Sequence, residues 1–136
     1  MLTLPKSRQI ITAAIGRAKQ LGACISVAVC DRTGRLIALN QMDGSIGWGL
    51  DRCSMGKAVT AAIIGRRSDE LFEQLRKVES RLSSHSNVVR PLGQRGGLPV
   101  IEEGVVQGGC GVSGAPTAEL DEECARAGVA ALDTLE

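Results

Sequence analysis

Apolar residues near the start of the chain recur at helical spacing. Ile11, Ala14, Ile15, Ala18 and Leu21 share one face of TLPKSRQIITAAIGRAKQLG, with Thr3 placed to cap the start, Pro5 in the first turn and Gly22 at the close. The period then shortens. ISVAVCD is β-branched and bounded by turn residues, so it reads as a buried strand, and RTG leads it into RLIALNQ as a hairpin. MDGSIGWG, residues 42–49, reads as a glycine-rich loop. From Leu50 the helical pattern returns through Cys53, Ala58, Ala61 and Ala62 to Gly65. SDELFEQLRKVES predicts a second helix, capped by Ser68, with Leu71, Leu75 and Val78 inward. Residues 81–97 are polar, carry Pro91, and read as a long connection. LPVIEE and VVQGGCGVSG form a second predicted hairpin about Glu103 and Gly104. Pro116 and Thr117 open a last helix with Leu120, Cys124, Ala127 and Ala131 on one face. The predicted order is α-β-β-α-α-β-β-α, an α+β fold of antiparallel sheet covered by helices.

Composition narrows the function classes. A chain of 136 residues supports one domain, residues 1–136, with a real core. The net charge of +1, with acids interspersed among the bases, argues against a nucleic-acid binder, and Trp48 and Phe72 are too few to stack bases. No stretch is long enough to span a membrane, and the N-terminus lacks a signal-peptide apolar core. The five cysteines show no C-x-x-C spacing. They predict free, mostly buried thiols in a cytoplasmic protein rather than a disulfide framework or a structural zinc site.

One stretch imitates a known site. Gly109-Cys110-Gly111-Val112-Ser113-Gly114 is a literal G-x-G-x-x-G. A dinucleotide fold needs a second strand bearing an acid about 20 residues further on. The stretch after Gly114 reads as a single helix, and the acid at that distance, Asp133, falls on it. The glycines therefore predict the end of the last strand and a tight turn into the last helix, with positive φ and close backbone approach. Amides at that turn would also suit an anion. Ser113 and Cys110 are nucleophilic side chains, but with one histidine and no recognisable elbow a triad is not expected.

Four segments, in order and at matching separations, resemble the GlcG/HbpS-like family, described as haem-degrading or haem-binding and including the C-terminal domain of PduO-type proteins. They are VAVCDRTGRLIALNQMDGS, GKAVTAA, GGLPV and VVQGGCGVSGAPTAELDEECARAGVAAL. The resemblance implies a profilin-like layer of antiparallel sheet and helices and a homo-oligomer. It also implies a ligand, haem or a related small molecule, in a pocket at a subunit interface.

The resemblance also weights individual residues. Met42, Asp43 and Gly44 follow a strand in a loop of the kind that collects ligand contacts. Lys57, within GKAVTAA, becomes an anion receptor if its stem is covered and its amine meets Asp43. Arg95, Gly96, Gly97 and Pro99 combine a cation with exposed backbone donors and form an expected pocket wall. Asp43, Lys57 and Arg95 are the candidate catalytic groups if the protein is an enzyme acting, without a cofactor, on a small carboxylate or oxo acid in a catabolic pathway. Glu102 and Glu103 are adjacent on a strand, point to opposite faces, and read as solvated. His85, the single histidine, is the candidate haem-iron ligand; Cys110, Met42 and Met55 are further axial donors. The residues present suit a small anion better than a porphyrin, so the haem binding expected is weak.

Overall fold

The computed structural model describes residues 1–47, 50–70 and 93–133. Its elements are α1 (Leu4–Leu21), β1 (Ser26–Asp31), β2 (Leu36–Gln41), α2 (Leu50–Ile64), β3 (Gly97–Glu102), β4 (Val105–Ser113) and α3 (Ala118–Ala130). These follow the predicted order. The further helix expected from Ser68 lies, beyond Glu70, outside the described residues, as does most of the long connection.

Local chemistry sets the element ends. The Thr3 hydroxyl accepts the Lys6 N–H at 3.3 Å, and Gly22 closes α1 in the left-handed region at φ 71°. Between β1 and β2, one Asp31 carboxylate oxygen accepts from Thr33 N, Thr33 Oγ1 and Arg35 N at 2.9, 2.7 and 3.0 Å. Glu103 and Gly104 both take positive φ, as a two-residue hairpin turn demands.

The sheet runs β2-β1-β4-β3, antiparallel throughout. Pro99, which has no N–H to give a ladder, sits on the edge strand β3. Alternation along the strands produces two faces. Val27, Val29, Val100, Cys110 and Val112 pack against Ile10, Ala14 and Ala18 of α1 and Cys124 and Ala125 of α3. Ala28 and Cys30 face the other way, toward Ala58, Val59 and Ala62 of α2. The first core carries the larger side chains and hence most of the hydrophobic stabilisation, since a fully buried Val or Ile contributes about 1.5–3 kcal/mol.

The second face is held by what is missing. A Cβ on Gly111 would fall 2.5 Å from Ala58 N and closer still to Ser54 O. One on Gly109 would lie 2.9 Å from Ala58 C, and one on Gly97 would lie 2.8 Å from Lys57 C. The glycine run is therefore mostly strand, not turn. Only Gly114 has positive φ, at 108°, while Gly109 and Gly111 let a helix of small residues lie directly on β4. Close approach, one of the two expected uses of these glycines, dominates.

Candidate functional site

Lys57 lies on the face of α2 that meets the glycines, so its stem is covered and its side chain runs to the end of the sheet. Its Nζ donates to the Val112 carbonyl at 2.8 Å and pairs with Asp121 Oδ2 at 3.3 Å. The other Asp121 oxygen accepts the Ala115 N–H at 2.9 Å. Both side chains are more than nine-tenths buried. Burial pushes the Asp121 carboxyl above the usual carboxylate range, against the pull of the Lys57 ammonium and the Ala115 N–H. Gly96, at φ 125°, roofs the pair; a Cβ there would press on Val112 O at 2.7 Å and Lys57 Nζ at 2.9 Å. The pair joins α2 on one face of the sheet to α3 on the other.

The expected partner of Lys57 was Asp43, and here the structure corrects the sequence reading. The amine is engaged by Asp121, while Asp43 sits exposed in the turn after β2. The reason is direction: a lysine covered by the glycine face points along β4 to α3. Arg95 is likewise taken. Its Nε and Nη2 bond Glu122 Oε2 at 3.0 and 2.9 Å, and Arg126 joins the same oxygen at 3.4 Å. Arg67 lies 3.6 Å from the other Glu122 oxygen. Lys57 and Arg95 thus turn to adjacent carboxylates of α3, and the three candidate catalytic groups do not converge on one another.

The remaining candidates occupy different surroundings. The Met42 sulfur accepts the Ile25 N–H at 3.3 Å and leans on the larger core. Gly44 takes φ 80° beside Cys24 Sγ. Gly97 exchanges hydrogen bonds with Ser68: its N–H goes to the Ser68 hydroxyl at 2.9 Å, and its carbonyl accepts the Ser68 N–H at 3.0 Å. The same hydroxyl donates to Gln94 O. Glu102 is not simply solvated, for it pairs with Lys6 at 2.8 Å, while Glu103 is exposed. His85 lies outside the described residues. Two surface cavities, of about 460 and 360 Å³, flank Met1. The first is lined by Asp31, Arg32, Thr33 and Gln107 and the second by Lys6, Glu102, Glu103 and Asp133, so neither includes the expected ligand residues.

The usual protein ligands to haem iron are His, Cys, Met and Tyr, and this chain has no tyrosine. Cys110 is wholly buried, and burial pushes its thiol up to about 12. The Met42 sulfur is occupied, and Met55 packs against the small core. The three sulfur donors expected from the sequence, Cys110, Met42 and Met55, therefore do not fit an axial role within one protomer. The turn before α3 does not suit an anion either: Thr117 caps that helix, and Glu119 and Asp121 occupy its first turn.

Sequence reasoning missed Asp121 and Glu122. The buried face of α3 holds Asp121, Cys124, Ala125 and Gly128, one residue displaced from the predicted Leu120 stripe. Spacings of three, four and seven from Asp121 were legible. An acid at the head of an apolar stripe reads first as a complement to the helix dipole.

Known proteins place this arrangement in context. The family model for haem-degrading HbpS-like proteins matches residues 2–130. The crystal structure of a double mutant of Streptomyces reticuli HbpS is 35% identical, covering 97% of this chain and 87% of that one, with a TM-score of 0.82. The Klebsiella pneumoniae protein ORFY is 27% identical over 98% of this chain and 92% of its own, with a TM-score of 0.82. A PduOC protein crystallised as a haem complex is 26% identical over 96% of this chain and 94% of its own, with a TM-score of 0.80. No match was found among curated proteins. No helix among the described residues is long and apolar enough to cross a membrane.

Proposed function

Because this chain belongs to the family of haem-degrading HbpS-like proteins, we propose that it binds haem or a related small molecule in a pocket formed between subunits of a homo-oligomer. The likeness to the PduOC haem complex over nearly the whole chain is the observation that carries the ligand class. Two features of the protomer support placement between subunits. Its polar candidates, Lys57 and Arg95, are spent on internal carboxylates, and of its expected sulfur donors Cys110 is buried and Met42 engaged. Its outer apolar side chains remain uncovered: Leu36 and Ile63 are about half exposed. Leu36, Met55 and Val59 border a shallow apolar depression between β2 and α2, of the kind that a second subunit covers.

The test is haem titration followed at the Soret band, with light scattering on the same samples. A saturable Soret change at fixed stoichiometry per oligomer supports the proposal, and loss of that change in His85→Ala assigns the axial ligand. A monomeric mass at micromolar concentration together with a broad, non-saturating Soret band sinks it.

A further inference from the structure

Ser113 ends β4 with a side chain that is 3% exposed and whose hydroxyl has no hydrogen-bond partner among the described residues. Its neighbours are satisfied. Ser26, opposite it in β1, donates to Ser54 Oγ at 3.0 Å, and Ser54 donates to Asp51 O at 3.0 Å. An unmet hydroxyl in such a position is costly to keep, and function is a common reason for keeping one.

The fold says where this hydroxyl points. Alternate residues of β4 face α2 and climb toward its start: Gly109 lies under Ala58 and Ala62, and Gly111 lies under Ser54 and Ala58. Ser113 is the next residue on that face, so it lies under Leu50 and Ser54. A Cβ on the following Gly114 would meet Leu50 Cδ1 at 3.0 Å, in agreement. This is the first turn of a 15-residue helix. The Leu50 N–H is taken by Gly47 O at 3.2 Å, while those of Asp51 and Arg52 precede the intrahelical ladder. Their side chains, both exposed, carry opposite charges, which leaves the helix dipole to favour an anion.

We infer that the first turn of α2 and the Ser113 hydroxyl form a receptor for a carboxylate group. The hydroxyl donates to one oxygen and the helix amides to the other. The inference goes beyond haem binding, since it requires only a carboxylate, whether of a small acid or of a porphyrin propionate.

Amide shifts of the full chain, recorded by NMR while titrating sodium oxalate and, in a separate arm, haem, test it. Saturable shifts centred on Asp51 and Arg52 are expected. Ser113→Ala should weaken that binding at least tenfold, the worth of a hydrogen bond to a charged group. Its ligand-free melting temperature should be unchanged or higher, because no partner is lost. Ser113→Cys keeps a donor at this position, though a weaker one, and should fall between. Shifts at this turn with haem alone support the receptor and assign the carboxylate to a propionate. The inference is overturned by the absence of saturable shifts there in both arms. Equal affinity in Ser113→Ala, or a ligand-free melting temperature several degrees lower in that variant, overturns it as well.

Discussion

Adding one methyl group at Gly111 should be among the most damaging small changes available to this chain. The new Cβ would sit 2.5 Å from Ala58 N and closer to Ser54 O, backbone atoms of a helix that cannot rotate away as a side chain can. Ordinary contact needs about 1 Å more, so α2 must lift off β4 along its central turns. Overpacking of a close-packed core costs about 1–3 kcal/mol, and a rigid backbone neighbour puts Gly111→Ala at the upper end, about 3 kcal/mol. For a domain of this size that is roughly a 10 °C fall in Tm. Gly16→Ala is the control with opposite sign. Gly16 is exposed within α1 with nothing near its Cβ position, so the change should stabilise by about 0.5–1 kcal/mol through helix propensity. Urea unfolding at 222 nm, compared at constant slope, measures both. If Gly111→Ala unfolds within about 0.5 kcal/mol of the parent chain, the contact between α2 and the glycine face does not hold this layer.

Three further outcomes follow from the same structure. Lys57→Met strands the buried Asp121 carboxylate and should destabilise by about 3 kcal/mol, whereas adding Asp121→Leu should recover much of the loss; chemical denaturation of both variants checks this. Burial alone lifts Asp31, but hydrogen bonds from Thr33 and Arg35 outweigh it and hold the carboxyl below its usual range. Its contribution is therefore present above the unfolded-state pKa and lost as pH falls through the lower folded value, so Asp31→Asn should lower Tm at pH 7 and leave it unchanged in strong acid. Cys30 and Cys110, pushed up to about 12, and Cys124, to about 11, should resist a thiol reagent that labels the half-buried Cys24 and Cys53, with all five reacting only after denaturation.

The parts of this fold that were legible are those in which a residue acts on its own neighbourhood. Thr3, Gly22 and Thr117 end helices by local hydrogen bonds and local φ, and the Glu103–Gly104 turn declares itself the same way. The β-branched residues and flanking turns of β1 revealed a buried strand but not that its two faces meet helices of different size. The role of Gly109 and Gly111 depends on α2, some fifty residues earlier, and nothing in the glycine run itself specifies that helix. The partner of Lys57 was misread for the same reason. Asp43 is nearer in sequence, but the seating of α2 on the glycine face of β4 carries the side chain to Asp121.

The bond pair between Ser68 and Gly97 has a consequence for the outer edge of the sheet. It fastens the departing chain to the returning one at the rim of the sheet, and Glu122 clasps the same two segments through Arg67 and Arg95. Gly97 begins the edge strand β3, and its N–H and carbonyl would otherwise face outward, where a foreign strand could pair; Ser68 fills both positions, and Pro99, two residues on, has no N–H to offer. The start of β3 is thereby closed to strand addition by the protein's own chain.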